Sequence, residues 1–188
     1  MLIRLILALV CLCNFLSPSA WAAYSVGDLY QISREPAIVL ALQLLAQTSH
    51  AAVVDKLVNN KVQISFQDLT ILGHPSDDAM SIVNRMNGQQ YTYIAQKHIS
   101  APPEALAALI VNQSLHDDDQ NSVAEEISAW TEEARTWEEM TINYPELTKV
   151  QAGTYALVDR LNTLVLTLQQ STEPATTQTS STDPTQIR

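Results

Sequence analysis

The run from Pro103 to Trp130, PEALAALIVNQSLHDDDQNSVAEEISAW, limits the fold more than any other part of the chain. From Glu104 to His116 it predicts a buried helix. Ala105, Leu106, Ala108, Leu109 and Val111 leave few polar positions until Asn112 and Gln113. The pair Pro102-Pro103 starts that helix. A polar turn, 117–121, separates it from a second helix opening at Ser122, where Ser122-x-x-Glu125 has the pattern of a capping box. An apolar helix that ends in Asn, Gln and His has to find partners for those side chains. Asn112 and His116 are four residues apart, a spacing that puts two side chains on one helical face.

That spacing is the one on which two histidines bind zinc in H-E-x-x-H helices. The segments ALAALIVNQSLH and SVAEEISAW together resemble the active-site core of secreted zincin-like metallopeptidases of the gluzincin type. In that family one helix carries H-E-x-x-H, and a second carries E-x-x-A, whose glutamate is the third zinc ligand. Here the five-residue motif reads Asn112-Gln113-Ser114-Leu115-His116. Asn112 stands at the first histidine, Gln113 at the general-base glutamate and His116 at the second histidine. Glu126-Ile127-Ser128-Ala129 matches E-x-x-A. The resemblance covers the middle third of the chain. It implies an α+β, mainly helical, zincin-like domain with a small β-sheet packed on the motif helix. It also implies that Asn112, His116 and Glu126 occupy degenerate ligand positions.

The chemistry of those replacements argues against hydrolysis. A catalytic zinc needs three protein ligands and an open water position. A neutral amide at Asn112 is a poor ligand beside an imidazole nitrogen. Gln113 has no ionisable carboxylate, so it cannot take a proton from a metal-bound water. No catalytic residue is therefore intact, and no cofactor is expected. The first expectation is an exported, catalytically inactive metallopeptidase homologue whose cleft binds a protein or peptide or serves as scaffold. Two others stand beside it. One is a divergent peptidase holding zinc through His116, Glu126 and a substitute such as His98. The other is a secreted helical interaction protein unrelated to zincins. In that plainer case Asn112 and Gln113 face solvent, His116 complements a helix dipole, Glu125 is a cap and Glu126 a solvated acid.

The first 22 residues read as a secretion signal. Arg4 supplies the positive start, Leu5 to Leu16 the apolar run and Ala20-Trp21-Ala22 the cleavage site. The expected location is secreted or periplasmic, with no stable membrane insertion after the signal is removed. Both cysteines, Cys11 and Cys13, lie in that leader, so the mature chain forms no disulfide. The globular domain is expected over residues 23–170. Residues 171–188, rich in Ser, Thr, Gln and Pro, read as a disordered tail. The formal charge of −10 offers no basic face to phosphates, which argues against nucleic acid as a partner.

Around the motif, apolar helices are expected from Pro36 to about Thr48 and from Ala51 to Val58. Val62, Ile64 and Phe66 alternate with polar residues and predict a half-buried strand. A short helix is expected from Ser76 or Asp77 through Met86, then a turn at Asn87-Gly88 and a second strand from Gln90 to Lys97. The zincin resemblance makes the strand before the motif helix the edge along which peptides align. Ile127, Trp130, Ala134, Trp137 and Met140 recur at helical spacing after Ser122. The acids Glu132, Glu133, Glu138 and Glu139 read as the wet face of that helix. A last long helix is expected from Pro145 or Glu146 to about Gln170. The acidic turn Asp117-Asp118-Asp119-Gln120-Asn121 fails as a calcium loop, because Ser122 and Ser128 replace the required Gly and Glu. Ser114 has no pattern of triad partners.

Overall fold

The structure, a computed structural model, describes residues 24–116 and 122–172. The expected signal, the acidic turn and the tail beyond Thr172 lie outside the described residues.

Ser25 opens the described chain with a complete capping box. Its Oγ accepts from the Asp28 amide at 3.2 Å, and the Asp28 carboxylate accepts from the Ser25 amide at 3.1 Å. This starts α1 (Val26–Leu29). Pro36 occupies the first turn of α2 (Pro36–Leu45), whose Ile38, Val39, Ala41, Leu42 and Leu45 are buried. Next comes α3 (Ala51–Asn59), which buries Val54 and Leu57. Lys61 adopts a left-handed φ of 52° and turns the chain into β1 (Gln63–Gln67), where Ile64 and Phe66 point inward as their alternation predicts.

The sheet holds three strands in the order β1-β3-β2. β3 (Gln90–Ala95) runs parallel to β1, with Ile64 opposite Thr92, and antiparallel to β2 (Ala79–Val83), with Met80 opposite Tyr93. Two expectations change here. The segment read as a short helix from 76 to 86 is strand β2. Its five residues are too few for periodicity to separate helix from strand, and pairing with β3 decides the matter. The strand before the motif helix, β3, is central in the sheet, and β2 is an edge. β3 also stops at Ala95, and Gln96–His98 form a 3-10 turn.

The motif helix α4 (Pro103–Ser114) begins on Pro102-Pro103 and is buried from Ala105 to Ser114. It packs chiefly against α2 and against α5 (Val123–Asn143). Alanines 105, 107 and 108 are fully buried, so neighbouring backbones approach closely. The helix ends at Leu115, and His116 sits just beyond it. Lys56 of α3 donates to the Ser114 carbonyl at 2.5 Å, placing a cation at the helix C-terminus.

Ala134, Trp137 and Met140 of α5 are buried, whereas Ile127 and Trp130 of the same expected stripe are exposed. The final helix is interrupted. A 3-10 turn, Pro145–Lys149, is followed by a bend at Gly153, whose φ of 83° no helix accommodates. Only then does α6 (Ala156–Thr172) start, burying Leu157, Val158 and Leu161. The result is a mainly helical α+β fold with one small sheet. Among the described residues no helix is long and apolar enough to cross a membrane.

Candidate functional site

A cleft of about 460 Å³ opens between β2 and helices α4, α5 and α6. Asn112, Gln113 and His116 line it from the end of α4, and Glu126 lines it from the first turns of α5. The four residues singled out in the sequence therefore meet at one hollow. Asn112 and Gln113 do not face open solvent, since they are 6% and 8% exposed. Gln113 Nε2 donates to Asn112 Oδ1 at 3.0 Å, and Ser81 of β2 donates to Gln113 Oε1 at 3.2 Å. Ser81 also lies 3.0 Å from Thr92 Oγ1, so the motif amides are stitched to the sheet.

Glu125 behaves differently from the capping-box expectation. Ser122 Oγ does accept from the Glu125 amide at 3.1 Å. The Glu125 carboxylate goes instead to His116, with Oε1 3.1 Å from Nδ1. That contact orients the imidazole at the end of α4. Glu126, one residue on, faces the cleft.

Three charged residues that were not singled out as site residues form the inner wall. Glu133 on α5 is 0% exposed, which overturns the reading of it as part of a wet face. Its two carboxylate oxygens accept from the Arg160 guanidinium of α6, Oε2 at 3.1 Å. Arg160 Nε lies 2.7 Å from Asp78 Oδ2, an ion pair whose angle falls outside hydrogen-bond geometry. Asp78 Oδ1 in turn is 2.7 Å from His98 Nε2 and 2.9 Å from Lys97 Nζ. Burial pushes the Asp78 carboxyl upward, but the hydrogen bonds from His98 and Lys97 and the Arg160 charge outweigh it. The group ends well below the usual carboxylate range. For Glu133 burial wins over the same guanidinium, and its carboxyl is raised. Arg160 is held more firmly protonated by Glu133 and Asp78 despite its own desolvation.

A signal for two of these residues was present in the sequence. Glu133 is seven residues after Glu126 and so on the same face of α5. Arg160 interrupts the apolar stripe Leu157, Val158, Leu161. Asp78 has no local signal. The other acids of α5 also hold the fold. Glu132 pairs with His50 at 3.0 Å, and Glu139 accepts from Ser49 Oγ at 2.6 Å. His98 does not line the cleft; it is buried, with its Nε2 against Asp78.

The donor set does not fit a zinc site. The motif positions offer one imidazole and one carboxylate beside two amides. Among the described residues no three His, Cys, Asp or Glu side chains are grouped to hold a metal ion. The arrangement also has the features of a binding cleft. It has a concave wall, buried amide groups, an indole at the lip and the edge strand β2 alongside. Compared with protein-family models, curated proteins and solved structures, the chain matches none.

Proposed function

We propose that the protein is an exported, catalytically inactive relative of zincin-like metallopeptidases, whose cleft holds an extended peptide or protein segment without cutting it. The observation that carries this reading is the meeting of Asn112, Gln113, His116 and Glu126 on one cleft. The resemblance to the zincin motif places those four positions around one metal site, and their common cleft supports it. The His116–Glu125 contact adds weight. A carboxylate on one ring nitrogen is the usual device that orients a metal-binding imidazole, and here it persists beside lost ligands. Strand β2, an edge beside the cleft, offers backbone groups to which an extended chain can add. Gln113 cannot act as a general base, so the bound segment is not hydrolysed.

The double change Asn112→His with Gln113→Glu tests the ancestry. Metal analysis of the purified variant is expected to show stoichiometric zinc, and the parent none. A variant that gains no zinc removes the ancestral geometry. A parent that holds zinc tightly and cleaves peptides in a chelator-sensitive way removes the inactivity.

A further inference from the structure

The turn between β2 and β3 holds two asparagines folded in the same way. Asn84 Oδ1 accepts from the Met86 amide at 2.9 Å, and Asn87 Oδ1 accepts from the Gln89 amide at 3.0 Å. In a turn of this kind the side-chain carbonyl bends back along the chain, toward the amide nitrogen of the next residue. The hydrogen bond also draws electrons from the carbonyl carbon and opens it to attack. The two sites differ in that next residue: Arg85 follows Asn84, whereas Gly88 follows Asn87. A side chain crowds the nitrogen it flanks, and glycine has none.

Gly88 takes a left-handed φ of 69°. Beyond its chain neighbours, no described heavy atom lies within 4 Å of where a side chain there would begin. Asn87 and Gly88 are both exposed, so water reaches them. One bond opposes attack by the Gly88 nitrogen, its donation to the Asn84 carbonyl at 2.8 Å. An exposed turn releases such a bond by local opening, without unfolding of the core.

We propose that Asn87 is a site of spontaneous covalent modification, deamidation through a cyclic imide, whose isoaspartate product loosens the edge strand β2. The deprotonated Gly88 nitrogen attacks the Asn87 side-chain carbonyl carbon and forms a C–N bond. The side-chain nitrogen leaves as ammonia, taking a proton from solvent. Water then opens either carbonyl of the ring and gives aspartate or isoaspartate. Isoaspartate routes the main chain through the former side chain and adds a methylene to the turn. That turn is closed by the Asn84 amide, which donates to the Gln89 carbonyl at 2.8 Å just beyond the β2–β3 ladder. A longer main chain no longer meets that bond in register. β2 has β3 as its one neighbour in the sheet, so it frays from the Val83 end. The reaction depends neither on the zincin resemblance nor on a bound peptide.

The test is incubation of the purified protein in oxygen-18 water at mildly alkaline pH, followed by trypsin and mass spectrometry of the peptide 86–97. The expected product is isoaspartate at position 87 carrying an oxygen-18 atom, with Asn84 intact, and its formation speeds up as pH rises. Reaction at Asn84 as fast as at Asn87 overturns the site. So does an Asn87 that stays intact in the folded protein while a synthetic peptide of residues 86–97 converts. The loosening is read by hydrogen exchange on the isolated isoaspartate form, beside the parent and Asn87→Asp, which adds the charge without the methylene. The β2 amides should lose protection in the isoaspartate form alone. Equal protection in all three, or the same loss in Asn87→Asp, overturns the effect on the strand.

Discussion

At the residue scale, the inner wall of the cleft makes the sharpest demands. Glu133 has no exposure, and its compensation comes from Arg160. Removing one partner of a buried pair leaves an uncompensated charge, whereas removing both with apolar groups is close to neutral. Arg160→Leu is therefore expected to lower stability by about 3 kcal/mol in urea unfolding, with the double change Arg160→Leu and Glu133→Leu recovering most of the loss. Asp78 gives a pH signature. Its folded-state pKa is depressed, so its stabilisation is complete above the unfolded carboxylate value of about 4 and is lost as pH falls below it. Asp78→Asn should thus cost about 2 kcal/mol at pH 7, and the gap to the parent should close on acidification toward pH 2. Glu133 works in the opposite direction: its raised value favours the fold at low pH and disfavours it as pH rises. Asn112, Gln113, His116 and Glu126 were legible as a candidate group because two local spacings place them, and all four line the cleft. Asp78 and Arg160 were not, because a buried charge is explained only by its partner, and the partners are distant in sequence.

At the element scale, α4 and the start of α5 set the cleft's geometry. Leu106 is fully buried in the middle of α4, and Leu106→Ala is expected to cost about 3 kcal/mol by loss of apolar contact and cavity formation. Ser122→Ala removes the acceptor that starts α5 and should cost about 1 kcal/mol. The same change frees the turn that presents Glu125 to His116, and histidine NMR shifts would register it. Helices with long apolar faces, α2 and α4, were readable from periodicity alone. The 76–86 segment was not. A short apolar run suits either a strand or a helix turn, and β3 decided between them by offering a ladder of hydrogen bonds. The stop at Gly153 was hidden for a related reason. The apolar spacing continues across it, while the backbone does not.

At the scale of the whole molecule, stability is concentrated around α4, with α2, α5 and β2 packed against it. Its amides should exchange with deuterium only through global unfolding, more slowly than those of the exposed 70–76 loop, as hydrogen-exchange mass spectrometry would read. The sequence by itself determined which helix is central, that the fold is mainly helical α+β, and which motif side chains need partners. Those properties follow from composition and period along one segment, and local geometry carries them. Only the tertiary structure decided that Glu125 holds His116 while Glu126 faces the cleft, that β2 is an edge strand beside that cleft, and that Arg160 pairs with the acids of the inner wall. Each depends on which surfaces meet once the core has closed, and a one-residue shift in a turn is enough to exchange one carboxylate for its neighbour.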